Sequence, residues 1–284
     1  RPSAHTLGYG GVMRVRLGVA FEGGGTRCAA EFGVLRALEK AGVEVYAFAG
    51  CGAGAAAAAA GACGLAPEMC LTRLRRCVRL GNVRERALRS ALCDCFGYGE
   101  IYGRGRLAVP AFDLGTGGAR VYASMFPVRP DPHPWSRQAR LSGALLAAMA
   151  VPGVLRPVEL GGRRLAGGGM LRALLPQLLL ALGADRVLCV RVAGAEGNRA
   201  ERGKSAQAVR AGALFSPEPA CADWTLALEN KCASAGVLDA HGTDALFEAG
   251  YNAAASTLPA LCRQRPAPIG KILRFPGTQV KEGN

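Results

Sequence analysis

Residues Ala49-Gly50-Cys51-Gly52-Ala53-Gly54-Ala55 have the sizes and spacing of a nucleophile elbow, G-x-S-x-G. In such an elbow a serine on a sharp strand-to-helix turn attacks an acyl carbonyl. Here the middle position is Gly52, so the small-residue frame is present and the nucleophile is not. Cys51 adjoins the empty position, and a thiolate is a good nucleophile when a base or a helix N-terminus lowers its pKa. It occupies an x position, however, whose side chain should point elsewhere, and no histidine is near it in sequence; the alternative is a small buried hydrophobe. A second segment with chemical potential lies upstream, Glu22-Gly23-Gly24-Gly25-Thr26-Arg27. Three successive glycines let backbone N–H groups converge on an anion near the N-terminus of the following helix, where the helix dipole also favours negative charge. The loop therefore suits an oxyanion or a phosphate, or it merely reverses the chain. Arg27 either holds an anion or braces the loop, and Asp113 is either a base or a structural carboxylate at a strand end.

These groups need elements to position them. Val45 to Ala49 is apolar and reads as a short buried strand, and Ala55 to Ala60 is a run of the best helix former, so the context of Gly52 is strand, tight turn, helix. Leu17-Gly18-Val19-Ala20-Phe21 reads as another buried strand, leading through the glycine loop into a helical segment from Cys28 to Lys40. The stretch holding Pro127, Pro130, Pro132 and Pro134 reads as an extended surface loop. Asp244 to Leu261 has helical character, Gly197 to Lys204 is polar, and Gly277 to Asn284 reads as a frayed tail.

In this order the segments resemble the patatin-like phospholipase family. Its oxyanion loop, G-G-G-x-R-G, is similar to Gly23-Gly24-Gly25-Thr26-Arg27-Cys28, with cysteine in place of the last glycine. Gly33-Val34-Leu35-Arg36-Ala37-Leu38-Glu39-Lys40-Ala41-Gly42-Val43 resembles the helix that links loop to elbow. Ala111-Phe112-Asp113-Leu114-Gly115-Thr116-Gly117 and Val121-Tyr122-Ala123-Ser124 resemble a central strand, its turn and the next strand. Ala147-Ala148-Met149-Ala150-Val151-Pro152-Gly153-Val154 is similar to the small-residue helix before the family's catalytic acid, and Leu182-Gly183-Ala184-Asp185-Arg186-Val187 to a late helix-to-strand junction. Where the family carries its D-G-G motif, this chain has Ala166-Gly167-Gly168-Gly169. Aligned from Pro157 the aspartate position falls on Gly167, and aligned back from Pro176 it falls on Gly168.

The resemblance implies an α/β fold, a three-layer sandwich with a mainly parallel central sheet. It also implies a Ser-Asp dyad mechanism, with serine attacking an ester carbonyl, aspartate taking its proton and the Gly23, Gly24, Gly25, Thr26, Arg27 loop holding the oxyanion. Both reactive positions, Gly52 and Gly167, are glycine here. Loss of nucleophile and base removes several orders of magnitude of rate, so the expectation is a catalytically inactive relative that keeps an anion-binding loop and a groove for a lipid or fatty acyl ligand. The alternative is an active acyl hydrolase with a non-standard nucleophile.

At 284 residues the expectation is one domain spanning 1–284, with its core at about 14–264 and flexible ends. Gly50-x-Gly52-x-x-Ala55 also satisfies the dinucleotide fingerprint, but no second strand with a terminal acid follows, so no cofactor is expected. Eleven cysteines without a C-x-x-C pair, several in apolar segments, read as reduced buried thiols in a cytoplasmic protein. Cys93-x-Cys95 is too tight for a zinc knuckle and His5, His133 and His241 are dispersed, so no metal is expected. The uncharged run from Val45 to Pro67 has the length of a membrane span, yet it is mostly alanine and glycine and the elbow accounts for it. The residues before the first strand lack the apolar run of a secretory leader.

The net charge is +14. Arg73, Arg75, Arg76, Arg79, Arg84, Arg86 and Arg89 crowd a predicted helical region, interleaved with Leu71, Leu74, Val78, Leu80 and Leu88. Such a stretch either lies on an anionic membrane surface or is a solvated helix in an arginine-biased chain, since five of the 35 basic residues are lysine. No recognition motif or aromatic interleaving points to nucleic acid.

Overall fold

Parallel strands covered on both faces read as unbroken apolar runs, and the two runs that bracket the glycine loop and lead into the elbow do so. In the computed structural model, which describes residues 15–79, 82–167, 169–192, 222–228, 232 and 241–263, they are β1 (Leu17–Phe21) and β2 (Val45–Gly50), adjacent and parallel. The segments Gly197–Lys204 and Gly277–Asn284, and Gly168, lie outside the described residues. Between the two strands a single 3-10 turn, Gly25–Cys28, feeds α1 (Ala29–Lys40). After the elbow come α2 (Gly54–Cys63), α3 (Pro67–Arg75), a small hairpin of β3 (Val78–Arg79) and β4 (Asn82–Val83), and α4 (Glu85–Phe96). Next in the chain are β5 (Leu107–Asp113), β6 (Gly118–Ala123), β7 (Trp135–Ser136) and α5 (Leu141–Met149). The hairpin β8 (Val158–Leu160) and β9 (Arg163–Ala166) is followed by a 3-10 segment, Gly169–Leu174, α6 (Leu175–Ala181) and β10 (Arg186–Arg191). The described part closes with β11 (Trp224–Ala227) and α7 (Thr243–Arg263).

The main sheet runs β11-β10-β1-β2-β5-β6-β7, parallel except where β6 and β9 pair antiparallel with β5. β2 touches only the start of β5, at Leu107 and Ala108, while β9 pairs with its end, at Phe112 and Asp113. Because β6 covers the other edge of β5 from Ala108 to Asp113, β9 must lie beyond the end of β2. It runs back toward that end, so the chain leaving Ala166 is aimed at the elbow.

Residue size differs between the two faces of the sheet. Val19, Phe21, Phe48, Leu107, Val109, Leu188 and Val190 join the core of the helical layer made by α1 to α5 and α7. Ala20, Ala47, Ala49, Ala108 and Ala123 face the other way and pack with Leu175, Leu178 and Leu179 of α6. Small strand side chains let a helix approach closely: a Cβ on Gly18 would lie 3.1 Å from the Leu179 Cβ. The result is an α/β fold with a mainly parallel sheet flanked by helices.

The alanine run becomes α2, whose residues Gly54–Ala60 are all buried and which packs against α1, α3, α4 and α5. A helix that is apolar all round belongs inside a helical layer, and 10 residues reach only about 15 Å. Among the described residues no helix is long and apolar enough to cross a membrane. The arginine-rich region, read as helical, is not one helix: Val78 pairs with Val83 and Arg79 with Asn82 across a short hairpin. The β-branched Val78 and Val83 favour strand over a continuous helix. Arg75 pairs with Asp244, Arg89 with Glu85, and Arg73 donates to the Asp94 carbonyl, so part of this charge is spent within the fold.

The proline-rich loop is fastened rather than loose. The Asp131 carboxylate accepts the His133 backbone N–H (3.0 Å), the Trp135 Nε1 (3.0 Å) and the Gln177 side chain of α6 (2.9 Å), and meets the His133 ring at 2.8 Å. Burial pushes its pKa up, but the Trp135 and His133 bonds outweigh that and hold it below the usual value.

The long helix α7 lies on α1 with main chain against main chain. A Cβ on Gly33 would sit 2.0 Å from the Phe247 carbonyl oxygen, and one on Gly250 would sit 1.9 Å from that of Ala30. Each glycine weakens its own helix by about 1 kcal/mol relative to alanine, and the close approach offsets this. Gly33→Ala or Gly250→Ala should therefore destabilise the protein in urea unfolding by roughly 3 kcal/mol despite the gain in helix propensity. Gly42→Ala, with positive φ but open space around the added carbon, should lose only about 1 kcal/mol. Equal losses in all three would disprove the packing argument.

Candidate functional site

The glycine loop and the elbow are built as one piece of main chain. Gly23, Gly24 and Gly25 have φ of 78°, 151° and 64°, a succession of positive values that side chains disfavour. A Cβ on Gly23 would lie 2.5 Å from the Cys51 carbonyl oxygen. From the other side, a Cβ on Gly54 would lie 2.6 Å from both the Gly23 nitrogen and the Phe21 carbonyl oxygen, and one on Gly50 would lie 2.6 Å from the Gly54 carbonyl oxygen. The Cys51 N–H donates to the Phe21 carbonyl at 3.1 Å, extending the β1–β2 pairing into the turn. Loop and elbow are thus in contact at distances only glycine permits.

At the apex Gly52 has φ +53° and its carbonyl accepts the Ala55 N–H at 3.3 Å, which starts α2. The sequence reading of strand, tight turn and helix is what the chain adopts here. Cys51 is turned under the elbow. It is wholly buried, and its thiol donates to the Glu22 carbonyl at 3.1 Å. Burial, then the charges of Glu22 and Glu31, push its pKa well above the ordinary value, so thiolate is scarce. Cys28, where the family's loop ends in glycine, has φ −58°, an ordinary helical value that needs no glycine.

The 3-10 turn brings Thr26 and Arg27 inward: both are buried, and the Arg27 N–H donates to the Gly24 carbonyl at 3.3 Å. Asp113 is not at the elbow's disposal. Its carboxylate accepts the N–H groups of Gly115 and Thr116 in the β5–β6 turn and pairs with Arg163 at 2.8 Å. Burial raises its pKa, but Arg163 and the two N–H groups outweigh this, leaving the pKa below 3.8.

Gly167 follows β9, and its N–H donates to the Ala150 carbonyl at 2.9 Å. A Cβ there would lie 1.9 Å from the Ala148 carbonyl oxygen and 2.5 Å from that of Ala147. The end of α5 has closed over the position, so with this backbone no side chain fits at 167, an aspartate least of all.

Two residues that the sequence reading did not single out belong to this site. Glu31, in the first turn of α1, is wholly buried; its Oε1 accepts the Gly23 N–H at 2.7 Å, and its Oε2 has no hydrogen-bond partner. Burial pushes its pKa well above 4.5, partly opposed by the Gly23 bond, and that bond latches α1 to the loop. The sequence signal was an acid placed in the first turn of an otherwise apolar helix. Arg172, in the 3-10 segment before α6, is half-buried and near enough that its charge acts on the Cys51 thiol. The arrangement is a main-chain cradle with no reactive side chain at the apex.

A family model described as patatin-like phospholipase matches residues 19–86, which take in the glycine loop, α1, the elbow and α2. Uncharacterised NTE-family proteins of Mycobacterium bovis and Mycobacterium tuberculosis are 29% identical over 211 residues, covering 69% of this chain and 54% of theirs. The chain therefore spans about half the length of the curated relatives it matches. Among solved structures, VipD from Legionella pneumophila aligns with a TM-score of 0.44 and 12% identity over 86% of this chain and 67% of that one. With loop, helix and elbow in the family's order and its model matched across them, residues 19–86 carry the pattern of the patatin-like phospholipase family.

Proposed function

We propose that this protein binds an acyl lipid without hydrolysing it, and that it works as a peripheral protein at anionic membranes. The observation that carries the first part is the apex of the elbow: Gly52 stands at φ +53° with no side chain, and the adjacent thiol is buried beneath it in a hydrogen bond to the Glu22 carbonyl. The absence of room at Gly167 and the engagement of Asp113 with Arg163 support the same reading, because neither leaves a general base for a nucleophile to use. What remains, the glycine loop and Arg172, suits the carboxylate of a fatty acid or the phosphate of a lipid headgroup.

The reading is tested with a soluble p-nitrophenyl ester and a fluorescent fatty acid. Ester turnover should equal that of heat-denatured protein and be unchanged in Cys51→Ala, while the fatty acid binds and Arg172→Ala weakens it by about five- to tenfold. Saturable turnover that Cys51→Ala abolishes would establish an active hydrolase instead. Failure to bind the fatty acid would remove the ligand half of the proposal. Gly52→Ser should bring no turnover and lower stability by about 1 kcal/mol, since serine at positive φ is strained.

The raised pKa of Glu31 makes a pH prediction. Its carboxyl holds a proton more tightly in the folded than in the unfolded chain, so stability falls as pH rises from the ordinary 4.5 toward the raised value. Glu31→Gln keeps an acceptor for the Gly23 N–H and does not titrate. Urea unfolding from pH 4.5 to 8 should show the variant gaining on the wild type as pH rises, by up to about 1.4 kcal/mol per pH unit. A difference independent of pH would mean that Glu31 is charged in the fold.

A further inference from the structure

At the end of the sheet opposite the elbow, aromatic, aliphatic and arginine side chains form one continuous strip. Six large hydrophobic residues are exposed among the described residues, and Val15, Tyr102, Phe126 and Val128, each more than half exposed, stand at the N-terminal end of the parallel strands. Val15 precedes β1, Tyr102 precedes β5, and Phe126 and Val128 follow β6, which ends at that edge because it runs antiparallel to β5. Contacts tie them together. The Arg137 guanidinium lies 5.8 Å from the Tyr102 ring and 5.5 Å from the Phe126 ring. Val128 and Tyr46 both border Gly183, where an added Cβ would lie 3.0 Å and 3.3 Å from them, and the Tyr46 ring is flanked by Arg106 at 4.1 Å and Arg16 at 5.2 Å. The strip crosses β10, β1, β2, β5 and β6, about 20 Å at ordinary strand spacing.

Its charge is positive. Arg16 and Arg129 share the single carboxylate of Asp185, at 2.7 and 3.0 Å, and Arg106 and Arg137 stack on aromatic rings. Other acids at this edge are Glu44 before β2, Glu100 before β5, and Asp223, which pairs with Arg186 at the start of β10. The buried Nε of Arg137 has no hydrogen-bond partner, and with Tyr102, Phe126, Trp135, Ser136 and Gln138 it lines a shallow open cleft. Stacked guanidinium groups keep their charge and their in-plane N–H donors for anions, while exposed phenyl and isopropyl groups gain by leaving water. Aromatic and aliphatic side chains among arginines match the headgroup region of a bilayer, apolar below and anionic above.

We propose that this strip is the face on which the protein docks to an anionic phospholipid bilayer, with Phe126 and Val128 entering the headgroup region and Arg16, Arg106, Arg129 and Arg137 meeting lipid phosphates. The proposal rests on the peripheral-membrane reading above and moves the contact away from the arginine-rich α3–α4 segment, whose charges are partly paired internally. It leaves the elbow facing away from the bilayer.

The test is cosedimentation with vesicles of phosphatidylcholine alone or with phosphatidylserine at roughly 7:3, the latter expected to bind at least about tenfold more tightly. Phe126→Ser/Val128→Ser, at exposed positions, should lose about tenfold on the anionic vesicles, as should Arg106→Gln/Arg137→Gln, while Arg84→Glu/Arg86→Glu stays within about twofold of wild type. Circular dichroism verifies that each variant is folded. Equal binding by wild type and both strip variants, or loss only in Arg84→Glu/Arg86→Glu, would overturn the assignment. Absence of vesicle binding together with strip-dependent binding of a labelled single-stranded oligonucleotide would overturn it in favour of nucleic acid. Fatty acid binding measured on the same preparations separates the readings: its persistence without vesicle binding sinks the docking face alone.

Discussion

The whole candidate site depends on two segments of main chain touching where no side chain can stand between them. Gly23 lies against the Cys51 carbonyl, and Gly54 against Gly23 and Phe21. In both directions an added carbon would fall inside 3 Å of backbone, which no rotamer change relieves. This contact fixes the glycine loop relative to the elbow, and Glu31 secures it from below by taking the Gly23 N–H. The flanking glycines specify the shape and residue 52 only has to accept positive φ. Glycine does that without strain, so a catalytic side chain can be lost from this architecture while the backbone keeps its form.

Gly167 is a position where the backbone itself excludes a side chain. Its N–H reaches the Ala150 carbonyl, and the carbonyls of Ala147 and Ala148 occupy the space a side chain would need. A helix end and a strand end have come together there. Placing a side chain there takes more than replacing the residue, because α5 would have to move, and α5 is anchored by Leu141, Leu145 and Leu146 in the largest core cluster. The two vacant positions thus differ physically: one is an open turn and the other a closed contact.

Much of this was legible in the sequence where local chemistry dominates. The apolar runs at Leu17–Phe21 and Val45–Gly50, the alanine run of α2 and the Gly23–Gly25 loop are specified by residues next to one another, and they stand where periodicity and glycine spacing put them. The inward turn of the Cys51 side chain followed from its x position and held. What escaped needed distant partners. Glu31 is an unremarkable acid in a helix until the fold buries it beneath Gly23, and Arg172 acquires its role only when β9 returns the chain to the end of β2. The helical reading of the Arg73–Arg89 region gave way between α3 and α4 to a short hairpin, where two valines override the periodicity of the leucines. The strip at the other edge was invisible for a related reason. Val15, Tyr46, Tyr102 and Phe126 come from four separate segments, and only a parallel sheet gathers the starts of its strands at one end.

That same property of parallel strands gives the molecule two chemically different ends. The carboxyl ends carry the elbow, the glycine loop and the β5–β6 turn held by Asp113; the amino ends carry the stacked arginines and the exposed aromatics. Along β2, Tyr46 and Gly50 are separated by roughly 13 Å of strand. A bilayer bound at the amino ends would therefore leave the elbow in water, on the far side of the sheet. An enzyme that draws its substrate out of a membrane needs its nucleophile at the membrane surface, and a chain without a nucleophile is free of that requirement. The acyl ligand would then reach the glycine loop from solution or from another protein, with the membrane serving to localise the complex. An elbow whose apex is glycine at one end of the sheet and the proposed docking face at the other are compatible with a single lipid-associated role.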